Sequence, residues 1–399
     1  MKQFTPPPSF HCREESSMVG LSRKGTSVMA RLEKLSVKGF TSIRSLEDFP
    51  LADSNILIGA NCSGKSHFLE LFKFIRAFAK LPLPNLNHAD VKSYVLDAGT
   101  ATDLLYKGKD SAQHIDITLH FGEIGYCFSL VPTQDDLLRI ESERIQDSSD
   151  GPWRSLHSED GFTPALLEEK EKSKTHSEEA IFESIKNWQI YHFHDTGRLS
   201  PPKRTQDVFD TSYLRFDGSN IASYLLFLRN HPNFASSYRD IVSAVRLVAP
   251  FFEDFILKPF SDDKVRLLWK QNGTDSPMKP QALSDGTLRF ICLATVLLQP
   301  NHPDTILIDE PELGLHPYAI TILAELMKAR SKDTQLIIAT QSAELISQFE
   351  PEDVIICDRK EGQSTFSRLQ TEPLSTWLSS YSLGDLWKKQ VLSGGPVHE

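Results

Sequence analysis

The sequence predicts an α/β chain: a parallel sheet with flanking helices, accompanied by an antiparallel β lobe and interrupted by a helical insertion. Three observations predict it. The last third alternates apolar and amphipathic runs, "TILIDEP", "AITILAELMKAR", "TQLIIATQS" and "DVIICD", which is strand–helix–strand grammar with parallel pairing. Near the start, "SNILIGA" (54–60) is a short apolar strand that leads through a loop into the amphipathic helix of "NCSGKSHFLELFKFIRAFAK". Between them, "HIDITLHF" and "GYCFSLVP" (114–132) alternate with period two, as an antiparallel hairpin does.

The elements follow in order. Residues 1–29 read as a disordered tail without the apolar core of a signal peptide, and Met18 or Met29 offers a later start. Residues 30–144 hold "LEKLSVKGF" (32–40), which alternates like a strand, then the apolar strand, the loop and the hairpin. Residues 145–250 read as a mainly helical, polar insertion. Its polar part carries "EEKEKSKTHSEE", a solvated helix or loop without heptads. "WQIYHFHD" (188–195) is a strand candidate, and helical patterns fill 219–252. Residues 251–399 begin with the strand "VRLLWK" (265–270) and the long apolar run "LRFICLATVLL", then enter the alternating region. No internal repeat is visible.

Composition sets the environment. The chain has 399 residues, 40% hydrophobic and 24% charged, which is ordinary globular usage. No apolar run approaches the ~20 residues that span a bilayer, so no membrane partner is expected. Five cysteines (Cys12, Cys62, Cys127, Cys292 and Cys357) are scattered without metal-ligand spacing, which points to a reducing cytoplasm. A net charge of −10 gives no global attraction to nucleic acid, although a local basic groove remains compatible with it. "FLRNHPNFASSYRD" (227–240) mixes basic and aromatic residues, as a nucleic-acid face does and as ordinary helical surfaces also do.

The chemistry is concentrated in three motifs. "GANCSGKS" (59–66) fits G-x-x-x-x-G-K-[ST], directly after an apolar strand and directly before a helix, the context a phosphate-binding loop requires. The backbone of Gly59, Asn61, Cys62, Ser63 and Gly64 would cradle phosphate oxygens. Lys65 would place its charge on the β/γ phosphates, and Ser66 would hold Mg²⁺. "TILIDEPE" (305–312) is an apolar strand ending in acids. Asp309 would hold Mg²⁺, and Glu310 would orient or deprotonate the attacking water, with Glu312 as a second candidate. In "QALSDGTLRF" (281–290) Ser284 can cap a helix that Gly286 opens. Glycine there costs roughly 0.5–1 kcal/mol relative to alanine. A helix end so bare is suited to an anion, and the plain alternative is an N-cap alone. Elsewhere, His192 and His194 lie on one face of a strand beside Asp195, as a metal site or as a partly buried pair.

The order of these motifs, with "DEPELGLHP" and "IIATQS" after them, resembles the ATP-binding-cassette class of P-loop ATPases. More closely it resembles the SMC/RecF-like branch and its stand-alone "AAA family" members. "YHFHDTG", "DGSNIASYL", "VRLVAPFFEDF", "LSDGTLRF" and "YSLGDLWKKQVLSGG" share the resemblance, which covers roughly residues 31–396. It implies an ABC-type ATPase head that uses ATP and Mg²⁺, with Lys65, Glu310 and Gln341 catalytic. It implies that Ser284, Asp285 and Gly286 of one subunit face the γ-phosphate held by Lys65 of another, so that ATP closes a head-to-head homodimer. Gln341, in "ATQS", replaces a switch histidine; its amide can donate to the γ-phosphate or position water. Two positions depart from the pattern. Cys62 stands where many relatives carry Gly or Ala, so its φ is expected to be negative. Thr41 stands where many carry Arg or Lys near the nucleotide. No guanine-selecting motif is present, which favours ATP over GTP. The resemblance leaves two settings. One is a clamp acting with DNA in repair, or with a separately encoded effector in antiphage defence. The other is a nucleotide-gated scaffold that holds a toxin or nuclease without touching nucleic acid.

Overall fold

The computed structural model describes residues 31–78, 91–158, 161–162, 164–167 and 175–392. The expected N-terminal tail, part of the "EEKEKSKTHSEE" stretch and the end of "YSLGDLWKKQVLSGG" lie outside them.

The chain opens with a hairpin, β1 (Lys34–Phe40) and β2 (Ile43–Pro50), that turns at Thr41. Next come β3 (Ser54–Ile58), the phosphate-type loop and α1 (Lys65–Phe78). After α2 (Val91–Ala98), the short α3 (Ala101–Leu104) starts at a capping box in which Thr100 and Asp103 satisfy each other's backbone N–H. Four strands follow: β4 (Ile115–Phe121), β5 (Ile124–Pro132), β6 (Leu138–Gln146) and β7 (Trp153–Leu156). With the opening hairpin they form an antiparallel sheet in the order β2-β1-β4-β5-β6-β7.

The chain then crosses to the other sheet through α4 (His176–Lys186) and β8 (Trp188–Tyr191). It continues through β9 (Gln206–Asp207), α5 (Ile221–Asn230), α6 (Ala235–Val248), β10 (Phe252–Ile256), β11 (Lys264–Val265) and β12 (Leu268–Gln271). The predicted strand "VRLLWK" is thus two short strands, β11 pairing with β9 and β12 with β10. The final third is α7 (Asp285–Leu298), β13 (Thr305–Asp309), α8 (Pro317–Ser331), β14 (Gln335–Thr340), α9 (Ala343–Ile346) and β15 (Val354–Lys360). It closes with β16 (Gln363–Arg368), α10 (Thr371–Leu378) and α11 (Leu383–Lys388).

The second sheet has the order β16-β15-β3-β14-β13-β8, parallel except for β16. A parallel sheet is covered on both faces, so its strands read as continuous apolar runs. Here alternate residues feed two cores. Ile56, Ile58, Ile306, Ile308, Leu336 and Ile338 face α5–α8, whereas Leu57, Leu307, Ile337 and Ala339 face α1. The antiparallel sheet shares this second core: Leu35, Val37, Ile117, Leu119 and Phe128 pack in the same cluster as Phe68, Phe72 and Ile75 of α1. The 145–250 stretch contributes to both layers. β7 extends the antiparallel sheet, and β8 forms the edge of the parallel one by pairing with β13. That pairing brings Tyr191 and the residues after it alongside Asp309 at the carboxyl ends of the strands.

Candidate functional site

In a parallel sheet all strands deliver their following loops to one edge, and ligands bind there. At that edge β14 separates β3 from β13, so the glycine-rich loop and the acids flank the strand end that carries Gln341. Lys65 opens α1 and is buried; its Nζ donates to the carbonyls of Gly59 at 2.7 Å and Ala60 at 2.9 Å. Burial lowers its pKa, while Cys357, Glu310 and Asp309 act in the opposite sense. The lysine and the two acids therefore share one electrostatic neighbourhood.

The loop around Lys65 has no spare room. A side chain at Gly59 would collide with the Cys357 carbonyl, and one at Gly64, where φ is +110°, with Ser364 Oγ. Ser364 Oγ in turn lies 2.7 Å from Ser42 Oγ, which is 2.7 Å from His67 Nδ1. Ser63 Oγ is buried with no hydrogen-bond partner. Asn61, Cys62 and Ser66 are exposed. The expectation for Cys62 is corrected: its φ is +64°, in the left-handed region, at the tight turn between β3 and α1. A glycine-tight loop with an orphaned hydroxyl and a lysine on its own carbonyls fits a chain of phosphates. Ser66 and Asp309 supply the hard oxygen donors that suit Mg²⁺. Thr41 also has a left-handed φ, +47°, and its Oγ1 is buried without a partner.

The acids divide by environment. Asp309 ends β13, and burial together with Glu310 raises its pKa. Its carbonyl lies 3.1 Å from His194 Nε2, whose ring centroid lies 3.8 Å from that of His192, the two planes tilted by 44°. Glu310 has φ +42°; its N–H donates to the Ala339 carbonyl at 2.8 Å, and its Oε1 accepts from Gln341 Nε2 at 2.6 Å. Glu312 serves differently. Its Oε1 accepts from Thr340 Oγ1 at 2.5 Å and from the Gln341 N–H at 3.1 Å, while Oε2 is buried without a partner. Burial raises the Glu312 pKa. Glu310 thus faces outward, held by the Gln341 amide, and Glu312 anchors the backbone of that same residue.

The third motif lies beside the acids. Ser284 caps α7, its Oγ accepting from the Thr287 N–H at 3.1 Å, and Asp285 is exposed. Gly286 is explained by packing: a side chain there would collide with the Gly314 carbonyl, in the loop that follows the acids. Arg289 is a tie to which the motifs assign no role. Its Nε donates to the Phe193 carbonyl at 2.9 Å, its second amine to that of His194 at 3.3 Å, and its first to that of Leu313. The available signal was a lone cation within an apolar helix. The contacts of Ser284, Asp285 and Gly286 run to Thr287, to Lys203 and to the 314 loop, rather than to Lys65.

The other candidates resolve blandly. Arg229 donates to the Leu257 carbonyl at 3.0 Å and His231 stacks on Phe234 at 4.2 Å, so these two side chains of the basic–aromatic segment are engaged in packing, while Arg239 is exposed. Among the described residues no group of three or more His, Cys, Asp or Glu is placed to hold a metal ion. Among them, too, no helix is long and apolar enough to cross a membrane.

Comparison with known proteins agrees with this fold. A family model described as "AAA domain, putative AbiEii toxin, Type IV TA system" matches residues 54–347. A "Putative ABC transporter ATP-binding protein" of Methanosarcina acetivorans is 37% identical over 78 residues, 19% of this chain and 28% of that protein. The crystal structure of an Smc head bound to the C-winged helix domain of ScpA superposes with a TM-score of 0.56. It is 17% identical, with 87% of this chain and 99% of that one covered.

Proposed function

Because the chain belongs to this AAA-domain family and folds as an ABC-type P-loop head like that of SMC proteins, we propose that it hydrolyses ATP with Mg²⁺ and closes head to head in doing so. The observation that carries the reading is the Glu310–Gln341 hydrogen bond of 2.6 Å, at the edge where Lys65 and Asp309 converge. A carboxylate poised by an amide at the end of the phosphate path can take a proton from water. In this reading Lys65 leaves its loop carbonyls for the β/γ oxygens, and the loop N–H groups and Ser63 hold the rest. Ser66 and Asp309 hold Mg²⁺, which when bound neutralises charge on the phosphates. Gln341 aims Glu310 and can itself donate to the γ-phosphate. Ser284, Asp285 and Gly286 serve the nucleotide of a second copy.

We propose further that the cycle gates a separately encoded effector of toxin or nuclease type. The family description, which calls the domain itself a "putative AbiEii toxin", supports a two-component toxin–antitoxin setting, and the Smc head bound to ScpA is a precedent for a head that docks a partner protein. A DNA clamp is the competing outcome. It would show as affinity for DNA that falls steeply with salt.

The deciding variant is Glu310→Gln. It should bind ATP with affinity close to that of the unaltered protein, and hydrolyse it on the order of 10²–10⁴ times more slowly. It should collect as an ATP-bound dimer. Unchanged turnover would take the role from Glu310 and pass it to Gln341 or Glu312.

A further inference from the structure

Lys203 is a cation almost withdrawn from solvent, and it sits at the opening turn of α7. Its side chain is 5% exposed, and its Nζ lies 3.6 Å from Asp285 Oδ1. A second contact, to the Thr196 carbonyl at 2.6 Å, holds the ammonium in place. The segment that carries it is firmly seated. Pro201–Lys203 form a single 3-10 turn, the Lys203 carbonyl accepts from Gln281, and Gln206 ties the Pro202 carbonyl to the start of α5. Lysine is seldom this buried without a charge to answer.

The charge it answers is Asp285, which is 67% exposed at the first position of α7. A carboxylate there suits the helix dipole. It also opposes any anion that approaches the same helix end, since like charges at short range repel strongly once water is squeezed out. An ammonium carries three donors, and the carbonyl of Thr196 takes only one. We propose that Lys203 is a positioning residue of the shared nucleotide site. It cancels the charge of Asp285, so that the opening turn of α7 meets the γ-phosphate of a nucleoside triphosphate on a second copy without net repulsion. This inference rests on the head-to-head reading given above.

The test follows ATP-dependent dimerisation by analytical ultracentrifugation in the Glu310→Gln background, where the closed state should accumulate. Lys203→Gln weakens ATP-driven closure by about tenfold or more, while ATP binding to the monomer changes by less than about twofold. Lys203→Arg, which keeps the charge, closes normally. Asp285→Asn restores closure to Lys203→Gln, because the charge that needed cancelling is gone; a lysine that merely braces its turn would not be rescued in this way. Independent, additive effects of the two substitutions overturn the proposal. If Lys203→Gln does not fold, Asp285→Asn alone decides: it tightens closure by about threefold or more if Lys203 is left unopposed, and unchanged or weaker closure overturns the assignment. Ser284→Arg in the same assay separates the two levels. If it closes normally, the shared-site reading falls and Lys203 falls with it. If it blocks closure while Lys203→Gln does not, only Lys203 is misassigned.

Discussion

Of the side chains near the phosphate path that sit where L-residues are rarely found, two lie in the motifs themselves. Cys62 has φ +64° and Glu310 has φ +42°. Each such residue costs roughly 1–2 kcal/mol relative to ordinary backbone, and such strain gathers at functional sites. At Glu310 it is balanced by the N–H bond to Ala339 and the side-chain bond to Gln341, so the turn aims the carboxylate. Nothing comparable secures Cys62, which is exposed. Replacing it separates conformation from chemistry. Cys62→Gly should match or exceed the parent in stability, by up to about 1 kcal/mol, because glycine enters this region freely. Cys62→Val should lose about 1–2 kcal/mol, since a β-branched side chain suits it least. Urea melts without nucleotide give the ranking; valine as stable as glycine would mean that the loop is not left-handed in solution.

Between residues and the whole stand the helices that fix the switch. α9 begins two residues after Gln341, and α11 lies directly on it. Gly384 of α11 donates its N–H to Ser347 Oγ at 3.1 Å, Lys388 pairs with Glu344 at 2.9 Å, and any Cβ on Gly384 would collide with the Ala343 carbonyl. Gly384→Val should therefore push α11 off α9 and loosen the Gln341–Glu310 geometry. The expected result is a fall in hydrolysis of about tenfold to a hundredfold with ATP affinity nearly unchanged, because small displacements of catalytic groups cost that much. Hydrolysis at the parent rate would show that α11 is only a cover. The elements of this region were legible in the sequence: β13, α8, β14 and β15 stand where period and apolar runs place them, and the loop before α1 carries its own motif. Their partners were not legible. "WQIY" is a plain strand in one dimension, and only its pairing with β13 makes it the edge of the core sheet. Gly286 looked like an opening for an anion, yet the reason a side chain is excluded is Gly314, brought in from a distant turn. The roles of Arg289 and Lys203 were not legible because they depend on carbonyls and carboxylates contributed by other segments.

At the scale of the molecule, the motifs of one chain fall into two spatial groups. Lys65, Asp309, Glu310 and Gln341 gather at one edge, while Ser284–Gly286 rest beside the loop after the acids. If the second group serves another copy, Ser284→Arg should leave ATP binding intact but abolish closure and hydrolysis. Lys65→Ala should lose ATP binding itself. Mixed, the two variants form heterodimers in which one site has an intact phosphate loop and an intact helix end. Part of the turnover should return, and sedimentation should follow closure alongside it. A Ser284→Arg protein that hydrolyses normally as a dilute monomer would end the shared-site reading. The sheet order has one more consequence, for how the protein is made. β3 lies between β14 and β15, with Ser54 paired to Leu336 and Ile56 to Val354. On the ribosome, the strand that carries the phosphate loop emerges early and then waits for both neighbours. At about 5–20 residues per second that wait lasts roughly 15–60 s. Throughout it Ile56, Leu57 and Ile58 have no neighbouring strand to pair with, so three apolar residues that end fully buried are left exposed until residues 335–360 follow. A message that ended between residues 66 and 334 would yield every residue of the phosphate loop and neither strand that flanks β3.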